Sequence, residues 1–150
     1  MDHLSKNKRS WNMSRIRSTN TKPEMIVRKV AHSLGFRYSL HRKDLPGKPD
    51  LVLKKHKTVI FVHGCFWHQH KNCKRANVPK SNFEYWEAKL NRNIERDKKN
   101  KRELKKLGWK IIIIWECETK NTEKLIKKIS KIYYLMHSSS KSSKQPISLK

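Results

Sequence analysis

Apolar residues recur at helical spacing in three parts of the chain. Thr21 and Glu24 have the spacing of a capping box, and the apolar positions after them end before Gly35, which predicts a first helix. Leucines, isoleucines and aromatics spaced by threes and fours predict a second helix over residues 81–107. A third helix is expected over about 122–136.

Three shorter segments have the pattern of β-strands. Residues 50–53 and 58–63 are β-branched or aliphatic and flank a basic tip, which is typical of a hairpin. Residues 110–115 form a third strand, in which isoleucine occupies every position from 111 to 114. Because no polar residue alternates with these isoleucines, we expect the strand to be buried on both faces. Strands and helices together predict an α/β domain.

The two ends of the chain differ in composition from its middle. Residues 1–20 are polar and basic, which predicts an arm that becomes ordered on a polyanion. Residues 137–150 are rich in serine and lysine, which predicts a flexible tail. We therefore expect one folded domain over residues 21–136.

Positive charge dominates the composition. Lysine and arginine total 37 against 12 acidic residues, a formal net charge of +25, which favours nucleic acid as the partner. The chain has no apolar run of the roughly 20 residues that a membrane helix needs and no signal-peptide core at its start. We therefore expect a soluble intracellular protein without a membrane partner. Charge alone does not separate DNA from RNA, or binding from catalysis.

Four residues have the composition of a structural zinc site. Three of them lie within nine residues of one another and the fourth follows the third strand: Cys65, His70, Cys73 and Cys117. Thiolates with one imidazole suit tetrahedral zinc, and four protein ligands indicate a structural site. The alternative is three buried thiols without a metal. His63 or His68 could also be the fourth ligand.

Two aspartates and a histidine form a candidate hydrolytic site. Asp50 begins a predicted strand, and its carboxylate suits Mg²⁺. Asp97 falls on the apolar stripe of the second helix, where a buried carboxylate needs a partner. We expect that partner to be His68, a competent general base toward water. The alternative is a bend that leaves Asp97 among surface charges.

Four further residues have two interpretations each. Glu24 either only closes the capping box or also takes part in the water shell of the metal. Two aromatics, Phe66 and Trp67, directly precede His68 in sequence, and Trp86 lies on the same predicted helix as Asp97. Aromatic side chains at these positions could enter a base stack. Ordinary core packing is the alternative for these aromatics.

Five segments in order resemble the very short patch repair (Vsr) DNA mismatch endonucleases. They are RSWNMSRIRSTNTKPE, LPGKPDLVL, VIFVHGCFWHQHKNC, FEYWEAKLNRNIERDKKN and LGWKIIIIWEC, which together span about Arg9 to Cys117. The combination of HGCFWH with a later ERD and WEC is specific. The resemblance implies a restriction-endonuclease-like fold, a mixed central sheet flanked by helices. It also implies a cut on the 5′ side of the thymine in a T·G pair left by deamination of 5-methylcytosine.

The resemblance also implies roles for individual residues. Asp50 matches a magnesium ligand, His68 the general base and Asp97 its support, while Glu24 matches a glutamate near the metals. The side chains that match a DNA wedge are Phe66, Trp67 and Trp86, and those that match zinc ligands are Cys65, His70, Cys73 and Cys117. Val62 replaces a threonine, so a magnesium contact there depends on its backbone carbonyl. The interval between His70 and Cys73 also differs by one residue from the family pattern.

The sequence therefore predicts a Mg²⁺-dependent, zinc-stabilised endonuclease that nicks double-stranded DNA at a T·G mismatch. We expect a monomer that is associated with the nucleoid, with mismatch-repair proteins as candidate partners. Basic residues expected to follow the DNA backbone include Arg15, Arg17, Lys43 and Lys48. The alternatives are a non-catalytic zinc-stabilised nucleic-acid-binding module, and a resolvase or ribonuclease on a related fold.

Overall fold

The computed structural model describes the backbone of residues 19–143 and the side chains of residues 19–133. Its three α-helices are α1 (Lys22–Ser33), α2 (Phe83–Lys106) and α3 (Thr122–Ser143). Its four strands are β1 (Ser39–Leu40), β2 (Leu51–Leu53), β3 (Thr58–His63) and β4 (Lys110–Trp115). Short 3-10 helices occupy Lys54–His56, Lys74–Ala76 and Glu116–Lys120.

The strands form one mixed sheet in the order β1-β2-β3-β4. β1, β2 and β3 are antiparallel neighbours, whereas β3 and β4 are parallel and are joined through α2. Parallel strands need such a crossover, because their connection has to return to the same end of the sheet. The carboxyl ends of β3 and β4 therefore lie side by side, with His63 paired to Trp115.

Helices cover both faces of this sheet. Strand β2 is buried on both faces, and its side chains alternate, so that Leu51 and Leu53 point to one face and Val52 to the other. The first face packs on α1 and α3 through buried residues that include Val27, Ala31, Leu125, Ile129 and Ile132. The second face packs on Leu104 of α2 and on Trp109.

The observed elements agree with the sequence pattern except at four places. Strand β1 was not predicted, because both of its residues are exposed. Asp50 lies just before β2 rather than in it. In β4 only Ile114 is fully buried, and residues 111–113 are half-buried, because β4 has one neighbouring strand within the described sheet. Helix α3 continues beyond Met136, so part of the expected tail is helical.

Residues 1–18, with most of the predicted arm, and residues 144–150 lie outside the described part of the chain. Within residues 19–143, no helix combines the length and the apolar character that crossing a membrane requires.

Candidate active site

Asp50 lies at the junction of the LPGKP turn and the sheet, and β3 holds its carboxylate. The backbone N–H of Val62 donates to Asp50 Oδ2 at 2.7 Å. Burial, together with a smaller effect of the neighbouring Glu24 carboxylate, raises the pKa of Asp50 to about 6 against the opposing effect of this hydrogen bond. A buried carboxylate with a raised pKa indicates a position where a cation would relieve an electrostatic cost.

Glu24 makes one of the two hydrogen bonds of the predicted capping box, and its part in the water shell of a metal stays a prediction. Its backbone N–H donates to Oγ1 of the N-cap Thr21 at 3.3 Å, and its Oε1 accepts from the N–H of Asn20 at 3.1 Å, so the carboxylate holds the chain just before α1. Its Oε2 contacts the guanidinium of Arg28 and lies 2.7 Å from His41 Nε2. The side chain is nearly fully buried, so these contacts fix its position.

His68 and Asp97 form the predicted pair. His68 Nδ1 lies 2.7 Å from Asp97 Oδ2, although the two residues are far apart in sequence. The side chains retain 28% and 20% of their exposure, so Asp97 is neither a core residue nor one of the surface charges of α2. With the carboxylate on Nδ1, Nε2 is the imidazole nitrogen that can accept a proton.

His63 belongs to this group, although the sequence suggested only an alternative role for it as a zinc ligand. Its ring stacks on that of His68 with centroids 3.7 Å apart and planes 5° apart. Burial, together with a smaller effect of the nearby His68, lowers the pKa of His63 to about 3. His63 is therefore neutral near pH 7, and it limits the movement of the His68 ring.

One cavity of about 530 Å³ contains the predicted hydrolytic residues. Asp50, Val62, His63, His68 and Asp97 all line it, and an adjoining cavity of about 410 Å³ adds Glu24 and Trp67 to the same region. The rim is basic, with Lys43, Lys48, Arg96 and Lys101. This combination of carboxylates, imidazole and cations suits a phosphodiester as the ligand.

The LPGKP turn closes this cavity against α2. Gly47 has φ of 78°, and a Cβ on it would lie 2.9 Å from Asn100 Nδ2. A larger residue would therefore be strained and would push the turn away from the helix. The close approach places the exposed Lys43 and Lys48 at the cavity, whereas Arg15 and Arg17 lie outside the described residues.

The four predicted zinc ligands converge in the loop after β3. Their ligand atoms lie within 4.8 Å of one another, and neither His63 nor His68 belongs to this group. His70 Nδ1 is 3.8 Å from Cys65 Sγ and 3.5 Å from Cys117 Sγ. Tetrahedral zinc with bonds of about 2.0–2.3 Å places its ligand atoms roughly 3.5–3.8 Å apart. The donor set and its spacing therefore fit zinc, despite the different interval before Cys73.

Phe66, Trp67 and Trp86 contact one another in an aromatic cluster beside the candidate site. Their ring centroids are 5.1–5.9 Å apart, and all three side chains are half-buried. Asn93 of α2 donates to the backbone oxygen of Trp67 at 3.0 Å and so ties the loop to the helix. None of the three aromatics belongs to the two core clusters of the described residues, so they are not ordinary core residues.

Comparisons with known proteins identify the family of this chain. A family model described as DNA mismatch endonuclease Vsr matches residues 1–75. The type II nicking enzyme V.NmeAIP of Neisseria meningitidis serogroup A / serotype 4A is 51% identical over 80% of this chain and 85% of that protein. The chain belongs to the Vsr family. Its Vsr relatives include the DNA mismatch endonuclease Vsr of Escherichia coli K12, which is 38% identical over 78% of this chain and 74% of that protein.

The restriction-endonuclease-like fold that the resemblance implied is also confirmed. The catalytic domain of the homing endonuclease I-Bth0305I superposes with a TM-score of 0.56 and covers 78% of this chain and 98% of that domain. At 21% sequence identity this likeness concerns the fold alone. As a member of the Vsr family, the protein is a DNA-cleaving hydrolase, and the alternative of a non-catalytic binding module is wrong.

Proposed function

We propose that this protein nicks one strand of double-stranded DNA on the 5′ side of the thymine in a T·G mismatch. The observation that carries the proposal is the His68–Asp97 contact of 2.7 Å within the cavity that Asp50 also lines. The name of the E. coli relative supports a mismatch as the substrate, and those of the nicking enzymes support cleavage of one strand. The T·G pair is the product of 5-methylcytosine deamination.

The metal in this proposal is Mg²⁺, held by Asp50 and by the backbone carbonyl of Val62. Hard oxygen ligands of this kind suit Mg²⁺, which retains several waters when bound, and Glu24 would accept hydrogen bonds from those waters. A bound Mg²⁺ supplies positive charge for the scissile phosphate and the leaving oxygen. The adjacency of Asp50 and Val62 across the β2–β3 hairpin supports this pairing of ligands.

His68 activates the attacking water. Protonated Nδ1 donates to Asp97, so Nε2 takes the proton from water. The water oxygen attacks phosphorus in line with the leaving oxygen, and the bond between phosphorus and that oxygen breaks. Asp97 stabilises the imidazolium that forms, and no covalent intermediate is needed.

The aromatic cluster of Phe66, Trp67 and Trp86 opens the mismatched step. A mispaired base unstacks at a lower cost than a paired one, so wedge side chains favour the mismatch. Trp67 lines the same cavity as Glu24 and His68, which supports the link between opening and cleavage. Lys43 and Lys48 bind the flanking phosphates, as the basic rim favours.

A substrate panel tests this function. The protein is offered a T·G duplex, a matched duplex, a four-way junction and duplex RNA in Mg²⁺, and the nick is mapped at single-nucleotide resolution. We expect a nick 5′ to the thymine, roughly a hundredfold faster than on the matched duplex, because opening a paired base costs a few kcal/mol. Equal cleavage of the matched duplex, or preference for the junction or RNA, would overturn the assignment of substrate.

A further inference from the structure

Glu24, His41 and Asp50 form a further group of candidate metal ligands, and no role has been assigned to its histidine. One ligand atom from each residue lies within 4.8 Å of the other two. His41 Nε2 is 2.7 Å from Glu24 Oε2 and 4.0 Å from Asp50 Oδ1. The imidazole nitrogen therefore lies beside both carboxylates at one edge of the cavity.

The backbone around His41 holds the ring in this position. His41 has φ of 47°, in the left-handed region that histidine adopts at a modest cost, and its N–H donates to the backbone oxygen of Asp50 at 3.3 Å. Its side chain is only 23% exposed. Unfavourable backbone angles that neighbouring contacts maintain are a feature of functional sites.

The separations between the donor atoms suit a cation with six ligands. In an octahedral site with bonds of about 2.1 Å, adjacent ligand atoms are about 3.0 Å apart and opposite ones about 4.2 Å apart. The 4.0 Å between His41 Nε2 and Asp50 Oδ1 lies close to the value for opposite ligands. Little movement of the side chains is needed for His41 and Asp50 to reach one ion, with Glu24 beside it.

We propose that His41 is a third protein ligand of the divalent cation at Asp50, and that its nitrogen makes the site select Mn²⁺ over Mg²⁺. The inference rests on the proposed function, which places a cation at Asp50. Mg²⁺ prefers oxygen ligands and water, whereas imidazole is a good ligand for transition-metal ions. An all-oxygen site would lack this discrimination.

A competing arrangement uses the same contacts without a metal ligand at His41. Arg28 also contacts Glu24 Oε2, so a protonated His41 and Arg28 could together neutralise the two carboxylates. In that case the ring of His41 is only an ion-pair partner, and its removal would leave Mn²⁺ binding unchanged or stronger.

Mn²⁺ binding to the zinc-loaded, DNA-free protein separates the two arrangements. Mn²⁺ stands lowest in the order of divalent transition-metal affinities, so it is the ion least able to displace zinc from the thiolates. The variant is His41→Asn, because asparagine tolerates the left-handed backbone but is too short to replace the ring. The matched control is His32→Asn, at an exposed position of α1. Affinities for Mn²⁺ and Mg²⁺ come from calorimetry, and pulsed EPR detects nitrogen bound to Mn²⁺.

We expect His41→Asn to weaken Mn²⁺ binding by about tenfold or more, to weaken Mg²⁺ binding much less, and to remove a nitrogen signal that His32→Asn retains. Unchanged or tighter Mn²⁺ binding in His41→Asn would overturn the proposal, and equal losses for the two ions would overturn the selectivity. Asp50→Asn tests the proposed function on which this inference rests, namely that a cation binds at Asp50. If this variant leaves the affinity for Mn²⁺ intact, the metal site of the proposed function itself is wrong.

Discussion

Asp97 lies on a helix whose buried residues, Leu90 and Leu104, are apolar, and its carboxylate would be costly to bury without the His68 ring beside it. This cost is why the helical period alone pointed to Asp97 as a candidate. His68 was expected as its partner because a histidine held by a carboxylate is a competent general base. Their contact is observed, and their role in catalysis stays a prediction.

Removal of the charge on Asp97 tests that role. Asp97→Asn preserves size but takes away the negative charge that stabilises the imidazolium. We expect single-turnover nicking to fall by roughly a hundredfold to ten-thousandfold, with DNA affinity unchanged. The control is Glu95→Gln, an exposed carboxylate on the same helix. Equal rates for the two variants would exclude Asp97 from the mechanism.

The raised pKa of Asp50 has a consequence for stability. Burial raises this pKa from 3.8 to about 6, so the folded protein binds the proton more tightly than the unfolded chain does. The stabilisation that this tighter proton binding gives is complete at pH values below 3.8, the pKa in the unfolded chain. It is lost as the pH rises through about 6, the pKa in the folded protein. At pH 8, without Mg²⁺, Asp50→Asn should therefore raise the free energy of unfolding by on the order of 2–3 kcal/mol, and by about half of that at pH 5.

Urea unfolding of the zinc-loaded protein at both pH values measures this difference. Asp44→Asn, an exposed position in the same loop, is the control and should show no comparable gain. A wild-type protein that is more stable than Asp50→Asn at pH 8 would contradict the electrostatic cost that we assign to this carboxylate.

A place for His41 in the site was not predicted from the sequence, and His63 was considered only as a zinc ligand. The positions of both side chains depend on contacts between residues that the local sequence pattern does not show. His41 reaches Glu24 only because β1 pairs with β2, and β1 is too short and exposed to have a strand pattern. His63 is buried at the end of β3, where its partner is the ring of His68 in the following loop. Alternation of apolar and polar residues in the sequence carries no information on either contact.

At the scale of elements, the strongest patterns were those that depend on local chemistry. Thr21 caps α1 as its spacing predicted, and α2 begins and ends within two residues of the expected bounds. The burial of β4 was overestimated, because four successive isoleucines do not show how many strands lie beside them. The end of α3 was placed too early, because serine and lysine resemble tail composition.

The loop after β3 has few core contacts of its own, and we propose that zinc holds it in place. Cys73→Ser should lower zinc content from about one ion per chain to near zero and reduce the free energy of unfolding by about 2 kcal/mol or more, because metal binding stabilises the folded loop. Nicking should be lost with it, since the same loop carries Phe66, Trp67 and His68.

Zinc content is measured by mass spectrometry and stability by urea unfolding. His68→Ala is the comparison, because it should abolish nicking while it retains zinc. A Cys73→Ser protein with full zinc content would show that the group of Cys65, His70, Cys73 and Cys117 is not the zinc site.

At the scale of the whole molecule, the parallel pairing of β3 and β4 brings the groups together. Their adjacent carboxyl ends place the loop with Cys65 and His70 next to Cys117, and the α2 crossover returns Asp97 to His68. The β2–β3 hairpin adds Asp50 from the other side. One sheet edge therefore carries both the candidate hydrolytic residues and the thiolate group, with a basic rim for DNA.

The central claim is that metal-dependent cleavage takes place at Asp50 and is separate from DNA binding. The most direct test measures single-turnover nicking of a T·G duplex in Mg²⁺, and affinity in Ca²⁺, for the wild-type protein, Asp50→Asn and Asp44→Asn. A bound metal stabilises the transition state by several kcal/mol, so we expect Asp50→Asn to nick about a thousandfold more slowly or worse than the wild-type protein. Its affinity for DNA should be unchanged, and Asp44→Asn should nick at the wild-type rate. Nicking by Asp50→Asn at the wild-type rate would contradict the account.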